Sequence, residues 1–241
     1  MKILILFIYS DSDTYKKMMI LQRKYIHNFE EVDSFFVQMR ENQENNIEIE
    51  GDMIFVKGTE AYLNILYKTI QSIEYLFSKK KYNFLIRTNI STIVNIPQLL
   101  IKLNTFPSKN MYSGSLSKKL CWLDINGGIT DSKLWGTEFI VGISIILSFD
   151  LVNFLIENKD KLDYNIIDDV SLGYFIKNYS PESLEIGKKY LVNHIFSNND
   201  NMKQIELDYN SYIIFRNKNN DRNDDLKTMN KVCQLIYKTN E

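Results

Sequence analysis

The chain has 241 residues, 44% of them hydrophobic and 24% charged, with a formal net charge of −1. That composition supports a large core and excludes an intrinsically disordered chain. Its basic residues fall in short groups such as Lys79-Lys80-Lys81 and Lys188-Lys189, with no extended stripe, which excludes nucleic acid as the expected partner.

The elements read in chain order. Residues 2–9 carry a seven-residue apolar run that ends at Ser10-Asp11-Ser12-Asp13 without a small-residue cleavage site; it reads as a buried first strand and not as a leader. Asp13 is positioned to cap a helix over 14–28, with Tyr15, Met18, Met19, Leu21 and Tyr25 on its apolar face. A second strand follows at Val32–Val37, a polar loop at Arg40–Glu50, and a short third strand at Met53–Val56. Tyr62, Leu66, Ile70, Ile73 and Phe77, three and four apart, predict a helix over 60–78. Tyr82–Arg87 is strand-like and breaks at Thr88-Asn89-Ile90-Ser91-Thr92, after which Asn95 and Pro97 open a helix to about Leu103. This alternation argues for βαβ units and a mainly parallel sheet.

The second half is more mixed. Strand-like runs stand at Met111–Ser117 and Phe139–Leu147, with a Gly-containing loop at Asp124–Ser132 between them. Helices are expected at about 149–158, capped by Ser148, and at 168–178; residues 205–216 read as short strands, and 224–238 as an amphipathic segment. The stretch 196–204 reads as a flexible loop. No repeat or boundary divides the chain, so one domain over 1–241 is expected. Nothing approaches the ~18 apolar residues of a membrane span. Cys121 and Cys233, far apart and outside metal-ligand spacing, are expected to be unpaired thiols in a soluble, cytoplasmic protein. His27 and His194 have no partners at ligand or triad spacing and read as structural.

Four segments carry more. Gly58-Thr59-Glu60-Ala61-Tyr62-Leu63-Asn64-Ile65-Leu66-Tyr67-Lys68-Thr69 is followed by Phe84-Leu85-Ile86-Arg87-Thr88-Asn89-Ile90-Ser91, then by Gly142-Ile143-Ser144-Ile145-Ile146-Leu147-Ser148, and then by Asp168-Asp169-Val170-Ser171-Leu172-Gly173. In this order and at these separations, over about residues 50–180, they resemble the β-1,3-galactosyltransferase and Fringe family. The resemblance implies a GT-A fold, a Rossmann-like α/β arrangement with a mixed, mainly parallel sheet flanked by helices. The nucleotide would lie over the carboxyl ends of the strands, in keeping with the rule for open α/β sheets. It further implies an inverting transfer of a sugar from a nucleoside-diphosphate donor, a UDP-sugar, to the hydroxyl of a glycan or protein acceptor. Residues 1–105 would form the nucleotide-sugar half and 106–241 the acceptor and catalytic half.

On that resemblance Asp169 is the general base, with Asp168 orienting it or binding acceptor; the plain alternative is that both are first-turn acids of a helix. Arg87, Thr88, Asn89, Ser91, Lys68 and Asn64 are the donor-binding candidates, and Gly142, Ser148 and Trp135 the acceptor candidates. Trp122 and Trp135 flank a polar loop, where a sugar platform competes with core burial. Asn89 and Ser91 take the outer positions of the family's triple-aspartate metal motif. With neutral oxygens there, either metal-independent donor binding or a weak Mn²⁺ or Mg²⁺ carried by the diphosphate is expected. Arg87 or Lys68, and less so Arg216, would supply positive charge instead. Arg216-Asn217-Lys218 and Arg222 read equally as a polar loop before the last helix. The rival function is a non-catalytic carbohydrate- or nucleotide-binding protein that kept the fold. Asp169 facing a cleft shared with Asn89 would favour the enzyme.

Overall fold

Alternate residues of the first apolar run feed two different cores. Ile3, Ile5 and Phe7 join one buried cluster, and Leu4 and Leu6 join another, as the two-residue period of a strand requires when both faces are covered. The computed structural model describes residues 1–238. Its elements run β1 (Ile3–Ile8), α1 (Asp13–Ile26), β2 (Val32–Arg40), β3 (Ile47–Glu50), β4 (Met53–Lys57), α2 (Ile65–Lys79), β5 (Phe84–Asn89), β6 (Thr92–Val94), α3 (Ile96–Leu103) and β7 (Tyr112–Gly114). They continue as β8 (Ser117–Lys119), β9 (Glu138–Ile140), β10 (Ser144–Ser148), α4 (Phe149–Glu157), α5 (Asp168–Tyr179), α6 (Pro181–Lys188), β11 (His194–Ser197), α7 (Met202–Asp208), β12 (Ile214–Asn217) and α8 (Arg222–Tyr237).

Seven strands form the main sheet in the order β3-β4-β2-β1-β5-β10-β7. β4, β2, β1 and β5 are parallel, whereas β3 and β10 pair antiparallel, so the sheet is mixed and mainly parallel, as expected. Residues of α1, α3 and α8 pack in the core on one face; residues of α2, α4 and α5 pack in the core on the other. A second sheet, β11-β12-β6, lies over the first core, and a β8–β9 hairpin encloses a third small cluster with Ile166 and Val170.

Several local expectations are corrected. The supposed loop 40–50 contains the edge strand β3, whose outward Glu48 and Glu50 hid it as polar sequence. Ser12, and not Asp13, caps α1, its side chain accepting from the Tyr15 N–H at 3.2 Å. Residues 205–216 hold the end of α7 and one strand, β12. Ile205, Glu206 and Leu207 alternate like a strand, yet Leu207 is 88% exposed while Ile205 is buried. The expected loop 196–204 contains the end of β11 and the start of α7. The polar stretch after Arg87 is only a brief turn before β6, and α6 and β11 are additional elements.

Candidate active site

β1 and β5 run parallel with Ile8 opposite Asn89, so both deliver their carboxyl ends to one edge of the sheet. β10 runs the other way and begins at that edge, with Ser144 opposite Thr88. The preceding residue pair Gly142-Ile143 therefore sits beside the end of β5. Two adjoining clefts open there, of about 380 and 340 Å³. Both fall in the size range of small-ligand sites, roughly 300–1,000 Å³. The first is walled by the end of β1 (Ile8, Tyr9, Ser10), Tyr15, Lys68, Ser91 and neighbours. The second holds Arg87, Gly142, Asp168, Asp169, Lys118, Lys218 and Arg222. Tyr62, Ile65, Asn89 and Arg216 line both.

The acids enter on the first turn of α5, where a helix favours negative charge. Asp168 is 7% exposed and paired with Arg87, itself 3% exposed, at 2.5 Å. The same guanidinium donates to the Gly142 carbonyl and, at 3.2 Å, to Asn89 Oδ1. Asp169 accepts from the Gly142 N–H through Oδ2 at 3.0 Å and from the Val170 N–H through Oδ1 at 2.9 Å. Burial, and secondarily the neighbouring Asp168 carboxylate, raise its pKa to about 6 against these donors and Arg87. A Cβ at Gly142 would stand 2.9 Å from Arg87 Nη1 and 3.6 Å from Asp169 Oδ2, so a side chain there would press on the guanidinium. Gly173, one turn into α5, has a matching role in packing, since its Cβ would fall 2.4 Å from that of Phe139.

The remaining candidates separate. Ser91 lines the first cleft, its hydroxyl bound by Arg216 and its carbonyl by the Asn217 N–H at 3.0 Å. Lys68 also reaches that cleft but is no solvated surface charge. It is buried, donates to the Tyr9 carbonyl at 2.8 Å and to Glu60 at 2.6 Å, and burial lowers its pKa. Thr88 is buried in β5 and donates to the Ile143 carbonyl at 2.7 Å, where it holds β10 in place without lining either cleft. Asn64 donates to the Thr59 carbonyl at 2.9 Å and closes the entry to α2; it too lines neither cleft.

Ser148 and Trp135 lie elsewhere. Ser148 pairs with Phe84 at the opposite end of β5, roughly 13 Å along the strand from Thr88, because β10 runs antiparallel away from the cleft. There it is fully buried, accepts from the Met111 N–H and donates to Asp150. Trp135 is 50% exposed in the segment that joins β8 to β9 and lies outside both clefts, and Trp122 packs edge-on against Phe139. His194 starts β11, where burial lowers its pKa, and His27 ends α1. Cys121 is exposed and Cys233 buried, and neither forms a disulfide.

The fold also recruits residues that sequence reading ranked low or passed over. Tyr62 and Tyr15 join the cleft walls, and Arg216, Lys218 and Arg222 converge on them from the C-terminal part. Arg216 arrives because β12 pairs with β6, placing it opposite Thr92. One signal pointed to it: Arg216 closes an apolar strand, Tyr212–Phe215, just as Arg87 closes Phe84–Ile86. Among the described residues no helix is long and apolar enough to cross a membrane.

Comparison with known proteins bears on this site. A curated relative, hydroxyproline O-galactosyltransferase GALT6 of Arabidopsis thaliana, is 23% identical in an alignment of 173 residues that covers 66% of this chain and 25% of that protein. The chain thus spans about a quarter of that relative's length. Among solved structures, a glycosyltransferase involved in the glycosylation of the major capsid of PBCV-1 superposes with a TM-score of 0.49 at 11% identity, over 96% of this chain and 100% of that one. The galactosyltransferase LgtC, in complex with donor and acceptor sugar analogs, gives 0.43 at 10%, over 100% and 97%. Both are too distant to bear on function. The family model for galactosyltransferases, however, matches residues 33–183, a span that runs from β2 through α5 and contains Arg87, Asn89, Gly142 and both aspartates. The chain belongs to the galactosyltransferase family.

Proposed function

We propose that this protein is an inverting glycosyltransferase that moves a sugar, in keeping with its family galactose, from a UDP-sugar to a hydroxyl on a glycan or protein. The observation that carries this reading is Asp169. Its carboxylate lines the same cleft as Asn89, at the carboxyl ends of the parallel strands, with a pKa raised to about 6. A base with that pKa is ionised at neutral pH yet still accepts a proton readily.

The step is a single displacement. The acceptor oxygen forms a bond to the sugar's anomeric carbon as the bond from that carbon to the diphosphate oxygen breaks. The hydroxyl proton passes to Asp169, and the nucleoside diphosphate leaves with the electron pair. The Gly142 and Val170 N–H groups hold the two carboxylate oxygens of Asp169 in one orientation while leaving lone pairs for the incoming proton. Asp168 and Arg87 position this arrangement through Gly142 and Asn89. The first cleft, beside the end of β1, is assigned to the nucleoside, with Tyr15 or Tyr62 available to stack on a base. The chain acts as one domain in this reading. Residues 1–105 supply most of the donor cleft and 106–241 the base, with Arg216 crossing from the second half to the first. Two unpaired thiols, one of them exposed, support a reducing compartment such as the cytoplasm.

The test is UDP release across a panel of UDP-sugars with simple hydroxyl acceptors. Asp169→Asn keeps shape and one acceptor oxygen but takes no proton, so turnover is expected to fall by about 10²–10⁴ while donor binding stays. Transfer at the parent rate would reduce Asp169 to a helix-terminus acid.

A further inference from the structure

Where the resemblance places three aspartates, this chain has Asn89, Ile90 and Ser91. Ile90 is buried in the core, so two side-chain oxygens remain at the turn. Each already accepts from a guanidinium: Asn89 Oδ1 from Arg87 at 3.2 Å, and Ser91 Oγ from Arg216. Mn²⁺ and Mg²⁺ are held through anionic oxygens. A divalent cation at this turn would meet two neutral oxygens with a fixed positive charge beside each. Among the described residues, no group of three or more His, Cys, Asp or Glu side chains gathers to replace them. The donor set does not fit a divalent cation.

Arg216 stands apart from the other cations of the clefts. Arg87 is matched by Asp168, Lys68 by Glu60 and Arg222 by Asp225, while Lys118 and Lys218 carry no ion pair among the described residues but are exposed to solvent. Arg216 is half-buried and, among the described residues, its side chain binds only the neutral Ser91 hydroxyl. Its pKa is pushed down to about 10, first by burial and then by the neighbouring Arg222. A partly desolvated cation without a paired carboxylate is a destabilised arrangement that a bound anion relieves. Its position says which anion. Arg216 lines both clefts, at their junction, and Lys218 continues the positive charge along the second. A donor laid across the two clefts has its nucleoside at one end and its sugar near Asp169 at the other. The diphosphate between them falls at Arg216.

We propose that Arg216, supported by Lys218, does the work of the divalent cation: it binds the donor's diphosphate and stabilises it as a leaving group without metal. This rests on the nucleotide-sugar reading above. As the carbon–oxygen bond to the diphosphate breaks, the electron pair remains on the phosphate oxygen. The added negative charge is met by the guanidinium N–H groups, which are held in place beforehand by Ser91.

The experiment is calorimetric titration of the full chain with UDP, in EDTA and in Mn²⁺, with inorganic pyrophosphate as a second probe. UDP affinity is expected to agree within a factor of about 10 between the two conditions. Arg216→Ala is expected to weaken UDP binding by about 10–100-fold, and Arg216→Lys by less, since it keeps the charge and loses the planar fork. Thermal melts of both variants check folding, and Arg216→Lys carries the test if the alanine variant does not fold. Restoring acids with Asn89→Asp and Ser91→Asp together is expected to weaken UDP binding in EDTA and to create a requirement for Mn²⁺. UDP binding by the parent only with Mn²⁺, or Mn²⁺ binding without nucleotide that Asn89→Ala removes, overturns the inference and leaves the nucleotide-sugar function standing. If UDP binds in neither condition, the UDP reading falls. Pyrophosphate binding in EDTA that is lost in the Arg216 variants would then still uphold the charge site, and no pyrophosphate binding would overturn it as well.

Discussion

As the proposed base, Asp169 is expected to act in opposite directions on catalysis and on stability, which separates its two readings. The folded protein binds the Asp169 proton more tightly than the unfolded chain does, because its pKa is raised to about 6 by burial and by Asp168. Its contribution to stability is therefore present at low pH and is lost as pH rises through about 6. Catalysis by the proposed base is expected to run the other way, since only the ionised carboxylate takes a proton. kcat/KM is thus expected to fall about tenfold per pH unit below pH 6 and to level off above it. Asp169→Asn should abolish that limb while leaving Tm at pH 8 equal to the parent's or higher, measured by calorimetry; a lowered Tm would mark the carboxylate as structural. Asp168→Asn removes the like charge and leaves Arg87 facing Asp169 alone. The acid limb is expected to move below pH 6, which a pH profile of that variant reads directly.

At the scale of elements, the placement of α5 matters more than its composition. The helix starts with two acids, as many helices do, and these face the cleft only because α5 rests against β9 and the 142–143 segment. Gly173 permits that contact: any Cβ there would meet the Glu138 carbonyl at 2.5 Å as well as Phe139. Gly173→Ala is expected to cost roughly 1–3 kcal/mol, read by urea denaturation. It should also lower kcat more than it weakens UDP binding, because it shifts Asp169 and not the donor cleft. Lys68 ties α2, on which it lies, to the end of β1 through Tyr9 and to the segment preceding the helix through Glu60. Lys68→Met leaves Glu60 without its cation and is expected to lower stability by about 2 kcal/mol. At this chain length that is a fall in Tm of roughly 4–8 °C.

The whole molecule decides which distant residues meet. Ser91 and Arg216 lie 125 positions apart and touch only because β12 closes the second sheet against β6. Their effects on UDP affinity should therefore be non-additive: a double-mutant cycle of Ser91→Ala and Arg216→Lys is expected to show a coupling of about 0.5–3 kcal/mol. Strict additivity would mean that Ser91 does not hold Arg216 in its binding position.

Alternation of apolar and polar runs was enough to read β1, β2, β4, β5 and the helices between them, because strands buried on both faces and amphipathic helices leave unmistakable periods in the chain. The ordered segments at 58–69, 84–91, 142–148 and 168–173 likewise identified the family and pointed to Asp169 from local pattern alone. Periodicity could not say that Ser148 lies at the far end of β10, since strand direction depends on pairing and not on residue type. Nor could it say that Arg87 would be neutralised by Asp168 while Arg216 keeps its charge free of any ion pair among the described residues. Charge balance at a site is set by which side chains the fold brings within a few ångströms, and those came from β5, α5 and β12, far apart in the chain.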